Sequence, residues 1–315
     1  LKDKIALFCS VTPDAVFSAR DARTIYEVPL NLHEEGLDDK AAALLNLPDR
    51  TPDLSRWNDL LHRIRNPKGS VRIGIVGKYV EFKESYKSLI EALHHAGYGL
   101  EVQVDLKWIE GEDIEASDAA THLSDCQGVL VPGGFGVRGT RGMIEAIRYA
   151  REQRVPFFGI CLGMQMACVE FARNAAGLEG ADSTEFDENP KHRIIFKLRE
   201  LVDVEELGGT MRLGAYPCVL AEHSQAAKAY GTTHISERHR HRYEFNQAEY
   251  RARLEAAGLA FTGLSPDGTF VEIVEIPDHP YYVACQFHPE FKSKPLAPHP
   301  LFTAFVKASR ERGRG

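Results

Sequence analysis

A cysteine flanked by glycines carries the most informative chemistry in this sequence. Cys161 stands in Gly-Ile-Cys-Leu-Gly, between the apolar run 155–158 and a stretch of helical character that begins at Met164. A side chain presented at a sharp turn from strand to helix needs small neighbours two positions away on each side, which Gly159 and Gly163 supply. The N-terminus of the following helix would also favour the thiolate form. The pattern predicts a nucleophile.

A nucleophilic cysteine needs a base, and the segment Gln-Phe-His-Pro-Glu at the end of an apolar run offers one. His288 lies two positions before Glu290, and a histidine held by a carboxylate is the usual pairing of a base with its orienting group. Alone, His-Pro-Glu is typical of a surface turn. Together with the cysteine motif, it predicts a Cys-His-Glu catalytic triad.

Acyl transfer also needs donors for the oxyanion, and a glycine-rich segment follows another apolar run at 128–132. Because glycines have no side chain, the backbone amides of Gly133 and Gly134 can approach a negative oxygen closely. We expect the Gly133 amide and that of Leu162, next to the nucleophile, to form the oxyanion hole. Glycine-rich loops also bind phosphate, so this segment by itself is only moderately specific.

Composition sets the class of protein. The 315 residues are 43% hydrophobic and 26% charged with a net charge of −7, which indicates a soluble globular protein and argues against nucleic-acid binding. No apolar stretch approaches the roughly 20 residues of a membrane span, and no signal peptide opens the chain. Six cysteines without paired spacing favour a cytoplasmic location. We interpret those other than Cys161 as small buried residues: Cys9, Cys126, Cys168, Cys218 and Cys285.

Strand and helix patterns alternate from Val71 onward, which predicts an α/β fold with a mostly parallel twisted sheet flanked by helices. The later short strands are expected to add antiparallel pairs at one end of the sheet. Residues 1–45 form a separate piece with a predicted strand at 5–9, residues 46–70 read as a linker, and residues 71–315 form the main domain. Because the chain opens with Leu1, it is expected to be part of a longer protein.

The three motifs, in this order along the chain, resemble the class I glutamine amidotransferases. The resemblance covers 71–315 and implies hydrolysis of L-glutamine through a thioester on Cys161, with release of ammonia. Further motifs are similar to the CTP synthase family in particular: 77–79, 132–136, 183–186, 209–214, 237–244 and 284–291.

That closer resemblance implies where glutamine is held. The segment 162–165 (Leu162, Gly163, Met164 and Gln165) would line the substrate together with Gly134. Glu185 would pair with the substrate ammonium and Arg242 with its α-carboxylate, each a charge-assisted contact. Without the resemblance, both side chains would be read as solvated surface charges.

Residues 1–45 resemble the end of the amidoligase domain of the same family. The resemblance implies a pyrimidine-nucleotide contact at Lys4 and ATP contacts at Arg20, Asp21 and Ala22. For a complete enzyme of pyrimidine biosynthesis it implies ATP, UTP and Mg²⁺ in the synthesis of CTP, GTP as an activator, and a homotetramer formed through the amidoligase domain. The phosphate-binding loop of that domain does not occur in this sequence. These residues can therefore carry only the glutaminase half of the reaction.

Two alternatives remain open at this point. The chain could be the glutaminase of another amidotransferase, or a non-catalytic ligand-binding or assembly module with the same fold. His239 and His241 alternate within an arginine-rich run, but the run lacks the ligand spacing of a zinc site, so no metal is assigned.

Overall fold

The computed structural model describes residues 1–48, 51–78, 83–197 and 211–313. Parts of two motifs, 79 and 209–210, lie outside these ranges. The chain folds as two compact units, 1–66 and 67–315. The assignment of 46–70 as a linker stays a prediction, although a helix lies within it.

The first unit is helical. Its helices are α1 Lys2–Cys9, α2 Val28–Glu34, α3 Leu37–Leu44 and α4 Ser55–Arg65, with short 3-10 turns at Pro13–Ala15 and Ile25–Glu27. The predicted strand at 5–9 is wrong, because these residues belong to α1. A short apolar run does not by itself distinguish a strand from a helix. Ser10 ends the helix in a left-handed conformation, with its amide bonded to the carbonyl oxygens of Ala6 and Leu7.

The second unit contains twelve strands and eight α-helices among its described residues. The strands are β1 Ser70–Gly77, β2 Gln103–Glu110, β3 Gly128–Val131, β4 Phe157–Ile160, β5 Ala181–Ser183, β6 His192–Lys197, β7 Arg212–Leu220, β8 His234–His241, β9 Tyr243–Phe245, β10 Ala260–Leu264, β11 Val271–Glu275 and β12 Tyr282–Cys285. The helices are α5 Lys87–Gly99, α6 Gly111–Glu115, α7 Ala119–Leu123, α8 Thr140–Glu152, α9 Leu162–Asn174, α10 Gln225–Tyr230, α11 Gln247–Ala256 and α12 Pro300–Arg312. None of the described helices combines the length and apolar character needed to cross a bilayer.

Nine strands form the main sheet in the order β2-β1-β3-β4-β12-β11-β10-β7-β8. The first five are parallel to their neighbours, and β11, β10, β7 and β8 extend one end by antiparallel pairing. The predicted α/β class and the antiparallel extension are thus confirmed. Two details differ: β12 is parallel to β4, and β6 belongs to a separate three-stranded sheet, β5-β6-β9.

Two apolar cores cover the two faces of the main sheet. Phe157 packs with α8 and α9 on one face, and its neighbour Phe158 packs with α5 and α12 on the other. This alternation follows from the two-residue period of a strand. Both side chains are fully buried. Of the cysteines expected to be buried, four are, but Cys9 is exposed on α1, so that prediction is wrong for Cys9.

The N-terminus of α9 lies unusually close to β3. A Cβ atom at Gly163 would lie 2.1 Å from the carbonyl oxygen of Val131, and one at Gly159 would lie 2.9 Å from Ala284. No side chain fits at either position without movement of the backbone. The two glycines beside Cys161 therefore allow strand and helix to pack around the turn.

We predict that Gly163→Ala will lower the free energy of unfolding by about 3 kcal/mol, because the added methyl group meets a backbone oxygen that cannot move aside. Gly69→Ala is the control: a Cβ there meets nothing within 4 Å, so its effect should stay within about 0.5 kcal/mol. Chemical denaturation of both variants checks this. Equal stability of the two variants would contradict the packing argument.

Candidate active site

Three neighbouring parallel strands end at the same edge of the sheet, and each delivers one part of the site. The glycine loop follows β3, Cys161 follows β4, and His288 lies shortly after β12. In open α/β sheets, ligands bind outside the carboxyl ends of the strands. Residues far apart in sequence are thus brought together by strand order.

Cys161 occupies a strained backbone conformation, with φ 52° and ψ −102°. A non-glycine residue held in a sparsely populated region costs roughly 1–3 kcal/mol and persists only where the surrounding packing imposes it. The Cys161 amide donates to the Cys285 carbonyl at 2.8 Å, which ties the turn to β12. The first amides of α9 have no partner within the helix, so the Leu162 amide remains available for an oxyanion.

His288 and Glu290 form the expected pair. The distance from His288 Nδ1 to Glu290 Oε1 is 2.8 Å, and both side chains are about nine-tenths buried. A carboxylate only accepts hydrogen bonds, so Nδ1 carries the hydrogen and donates it. Nε2 is buried without a hydrogen bond to the described residues, which leaves it free to take a proton.

The pKa of His288 is raised to about 10. Burial acts in the opposite direction, but interactions with the Cys161 sulfur and the Glu290 carboxylate outweigh it. A protonated imidazole beside a thiolate is the arrangement that activates a catalytic cysteine. Burial without these two partners would have lowered the pKa instead.

The glycine loop lies between the triad and a pair of charged groups. A Cβ at Gly133 would lie 2.8 Å from the His288 ring and 3.5 Å from the Cys161 Cβ, so only glycine fits there. The buried Lys78 ammonium donates to the carbonyl oxygens of Phe135, at 3.2 Å, and Gly136. Burial lowers its pKa to about 8, although Glu185 opposes this.

Glu185 holds the same loop from the other side, because its carboxylate accepts the Gly136 amide at 2.8 Å. Lys78 and Glu185 together fix the backbone whose amides would face an oxyanion. Of this pair, only Glu185 was assigned to the site from the sequence, since Lys78 entered only as part of the motif 77–79.

Two cavities open at this edge of the sheet and share Phe135 and Arg240. The smaller, of about 210 Å³, is lined by Cys161, His288 and Glu290 and by Gly133 and Gly134. The larger, of about 660 Å³, is lined by Glu185, Arg242, Lys197, Met211 and Tyr243. Of the predicted substrate residues, Glu185 and Arg242 thus line the larger cavity and Gly134 the smaller one. Residues 162–165 are buried in the first turn of α9 and line neither cavity.

Gln286 is a site residue that sequence reasoning missed. It is fully buried, and its side-chain amide nitrogen lies 3.7 Å from the Cys161 sulfur. Gln165 donates to the Gln286 side-chain oxygen at 3.2 Å and to the Tyr243 carbonyl at 3.3 Å. Gln286 lies two residues before His288 at the end of the same strand, and this position in the sequence could have indicated a site residue.

Arg240 was also missed, because only Arg242 was assigned to the site from the motif 237–244. The run contains β8, in which Glu237, His239 and His241 are buried while the arginines between them are exposed. The two-residue period of a strand, applied to this run, would have separated the two faces.

The buried face of β8 contributes to a charged network behind the triad. Arg212 pairs with Glu272 at 2.7 Å and with Glu244 at 3.2 Å, and His239 contacts His241 at 2.9 Å. Burial raises the pKa of Glu244 to about 8 despite Arg212. Burial also lowers the pKa of His241 to about 3, so this histidine is neutral.

The predicted nucleotide contacts lie in the first unit. Lys4 is exposed on α1, Arg20 and Asp21 are exposed, and Ala22 is half-buried in an irregular segment. Arg20 donates to Glu35 at 2.6 Å, and Lys2 pairs with the same carboxylate at 3.3 Å. These residues carry no further assignment beyond the prediction.

Comparison with known proteins agrees with this site. Residues 81–308 match the sequence model of the family described as glutamine amidotransferase class-I. The chain therefore belongs to the class I glutamine amidotransferases.

Within that class, the similarity is to CTP synthases. Residues 1–47 match the family model described as CTP synthase N-terminus. The chain is 62% identical to the CTP synthase of Acidobacterium capsulatum over 98% of its own length, and 60% identical to that of Koribacter versatilis over 99%. It spans 56% of the length of each of these relatives.

A solved structure supports the fold. The glutaminase domain of the Trypanosoma brucei CTP synthase, with bound acivicin, superposes with a TM-score of 0.71 at 36% identity. The match covers 76% of this chain and 94% of that one. The fold expected from the family resemblance is confirmed.

We predict that Glu290→Gln will lower the pKa of His288, because a neutral amide replaces the carboxylate that stabilises the imidazolium. His288 has a folded pKa of about 10, above its ordinary value near 6.5. Its contribution to stability is thus complete below about pH 6.5 and is lost as the pH rises through about 10. The stability difference between wild type and variant should therefore shrink as the pH rises from about 6.5 through about 10.

The imidazole proton resonances of His288, followed by NMR against pH, measure the pKa directly. Glu188→Gln is the control, since Glu188 is exposed on the surface. A His288 pKa that stays near 10 in Glu290→Gln would contradict the assigned pairing.

Proposed function

We propose that this chain is the glutamine-hydrolysing part of a CTP synthase. Cys161, His288 and Glu290 act as the catalytic triad, and the ammonia released from glutamine serves the ATP-dependent amination of UTP. The observation that carries this proposal is the convergence of a strained cysteine, a buried histidine–carboxylate pair and a glycine loop at one cavity. The similarity to CTP synthases at 60–62% identity is the reason for proposing CTP as the product of the complete enzyme.

The chemistry follows from the geometry. His288 Nε2 takes the thiol proton, and the sulfur lone pair attacks the side-chain carbonyl carbon of glutamine. The amides of Gly133 and Leu162 stabilise the resulting oxyanion. When the tetrahedral intermediate collapses, the carbon–nitrogen bond breaks and His288 gives its proton to the leaving nitrogen, which departs as ammonia.

The second half restores the enzyme. Water attacks the thioester carbonyl while His288 accepts one of its protons, and the carbon–sulfur bond breaks to give glutamate. The sulfur leaves as a thiolate and recovers its proton from His288. Glu290 keeps the imidazole oriented throughout, because it accepts from Nδ1 in both protonation states.

Charge complementarity supports glutamine as the substrate. A free amino acid carries an ammonium and a carboxylate on one carbon, and Glu185 and Arg242 line the same cavity. Gly134 and the segment 162–165 would hold the chain of the substrate against the nucleophile. Both amide hydrogens of Gln165 are used within the protein, which leaves its carbonyl oxygen for a ligand.

The nucleotide side of the reaction is proposed for the complete enzyme. Lys4 would contact the pyrimidine nucleotide, and Arg20, Asp21 and Ala22 would contact ATP, with GTP as activator and a homotetramer as the assembly. Among the described residues, no group of three or more His, Cys, Asp or Glu side chains is arranged to hold a metal ion. Mg²⁺, like ATP, is proposed for the complete enzyme.

We predict that Cys161→Ala will reduce glutamine-dependent CTP formation by at least about 10⁴-fold, because the thioester cannot form. Synthesis with added ammonia should be unchanged, since ammonia bypasses the thioester. The measurement joins this chain to the N-terminal part that its longer relatives carry and supplies ATP, UTP and GTP. Cys9→Ala is the control, since Cys9 is exposed in the other unit.

The alternatives give different results in the same experiment. Retained glutamine-dependent turnover in Cys161→Ala would overturn the mechanism. Glutamine hydrolysis by the wild type without CTP formation would indicate another amidotransferase. No hydrolysis of glutamine by the wild type would indicate a binding or assembly module.

A further inference from the structure

Gln286 lies beside the reacting sulfur but belongs to none of the triad, the oxyanion hole or the substrate cavity. Its side chain is fully buried, and its amide nitrogen lies 3.7 Å from Cys161 Sγ, within hydrogen-bonding distance for sulfur. It follows β12 directly, and its backbone amide donates to the Glu272 carbonyl at 2.9 Å. The side chain is thus fixed at its base and directed at the nucleophile.

A chain of hydrogen bonds determines which end of the Gln286 amide faces the sulfur. The Tyr243 carbonyl oxygen can only accept, so the Gln165 group that meets it must be the amide nitrogen. The same nitrogen of Gln165 then donates to Gln286, which must present its oxygen. Only the nitrogen of Gln286 remains for Cys161. The reversed orientation would place donor against donor.

We propose that Gln286 is a further catalytic residue, which donates a hydrogen bond to the Cys161 sulfur and stabilises its thiolate form. Gln165 is the positioning residue that orients it. This inference rests on the proposed glutaminase function for its role in turnover. Hydrogen bonds to a charged partner are stronger than those to a neutral one, so the donor favours the thiolate over the thiol.

The donor would act at two points of the reaction. It stabilises the thiolate that attacks glutamine, and it stabilises the same thiolate when sulfur leaves the second tetrahedral intermediate. His288 does not keep its proton between these two points, because the proton passes to the leaving ammonia and the imidazole regains one only when water attacks the thioester. Gln286 has no proton to lose and keeps its hydrogen bond throughout.

Among the described residues, the charged or titratable side chains that line the cavity with Cys161 are those of Tyr86, Arg240, His288 and Glu290. Cys285 is buried close enough to be influenced by Cys161. Substitution of Gln286 changes none of these groups. A shift in the titration of Cys161 on substitution of Gln286 can therefore be assigned to the lost donor.

The test measures the rate of alkylation of Cys161 by iodoacetamide against pH, without glutamine, with the modified peptide quantified by mass spectrometry. Gln286→Leu removes the donor, and the midpoint of the pH profile should rise by about one unit. Gln286→Glu places an acceptor and a negative charge there, so its midpoint should rise further. Cys9→Ser in every variant removes the exposed competing thiol.

Gln225→Leu is the matched control, because it removes a half-buried side-chain amide that donates to the Ile276 and His279 carbonyl oxygens and not to Cys161. Its midpoint should equal that of the wild type. A role of Gln286 in folding alone would lower stability without moving the midpoint. The proposal would be overturned if the midpoints of both Gln286 variants stayed within about 0.2 pH units of the wild type. The loss of a hydrogen bond to a charged group should shift them much further.

The unaltered chain offers a readout that does not depend on the variants folding. The side-chain amide nitrogen resonance of Gln286 should titrate with the alkylation midpoint of Cys161, and a resonance that ignores this transition would contradict the hydrogen bond. Glutamine hydrolysis is assayed in parallel. If the wild type does not hydrolyse glutamine, the proposed function fails, while the alkylation midpoints still decide the role of Gln286.

Discussion

The contact between β3 and the first turn of α9 is the constraint on which the rest of this structure depends. Gly163 lies against the Val131 carbonyl with no room for a side chain. Because helix and strand meet this closely, Cys161 must turn sharply between β4 and α9 and adopts a positive φ. The same contact brings the glycine loop after β3 next to the nucleophile. Packing of backbone on backbone therefore brings the Cys161 sulfur close to the amides that we propose as oxyanion donors.

Electrostatic interactions then determine the protonation state of the groups that packing has brought together. The site is buried, so a lone imidazole there would lose its proton. The Glu290 carboxylate and the Cys161 sulfur reverse this and raise the pKa of His288 to about 10. Behind the triad, Arg212 is shared by two buried carboxylates, which keeps the buried side of the antiparallel extension close to neutral.

The sequence could predict those features that local chemistry determines. Glycines two residues from a cysteine indicate the turn, and His288 and Glu290 are close enough in sequence to be paired without a structure. It could not predict the hydrogen bond from Gln286 to Cys161, because that contact depends on β12 lying beside β4. The prediction of a strand at 5–9 was wrong, because a short apolar run has no period that distinguishes a strand from a helix. Arg240 was missed because only Arg242 of the motif 237–244 was assigned, without use of the strand alternation in β8.

If Cys161 attacks the side-chain carbonyl of bound glutamine, a glutamine-like electrophile should react with the same sulfur. The most direct measurement treats the chain with the glutamine-like electrophile diazo-oxo-norleucine and maps the modified peptide by mass spectrometry. We expect one adduct per chain, on Cys161, and protection by added glutamine. The absence of an adduct on Cys161, or labelling that glutamine does not prevent, would contradict it.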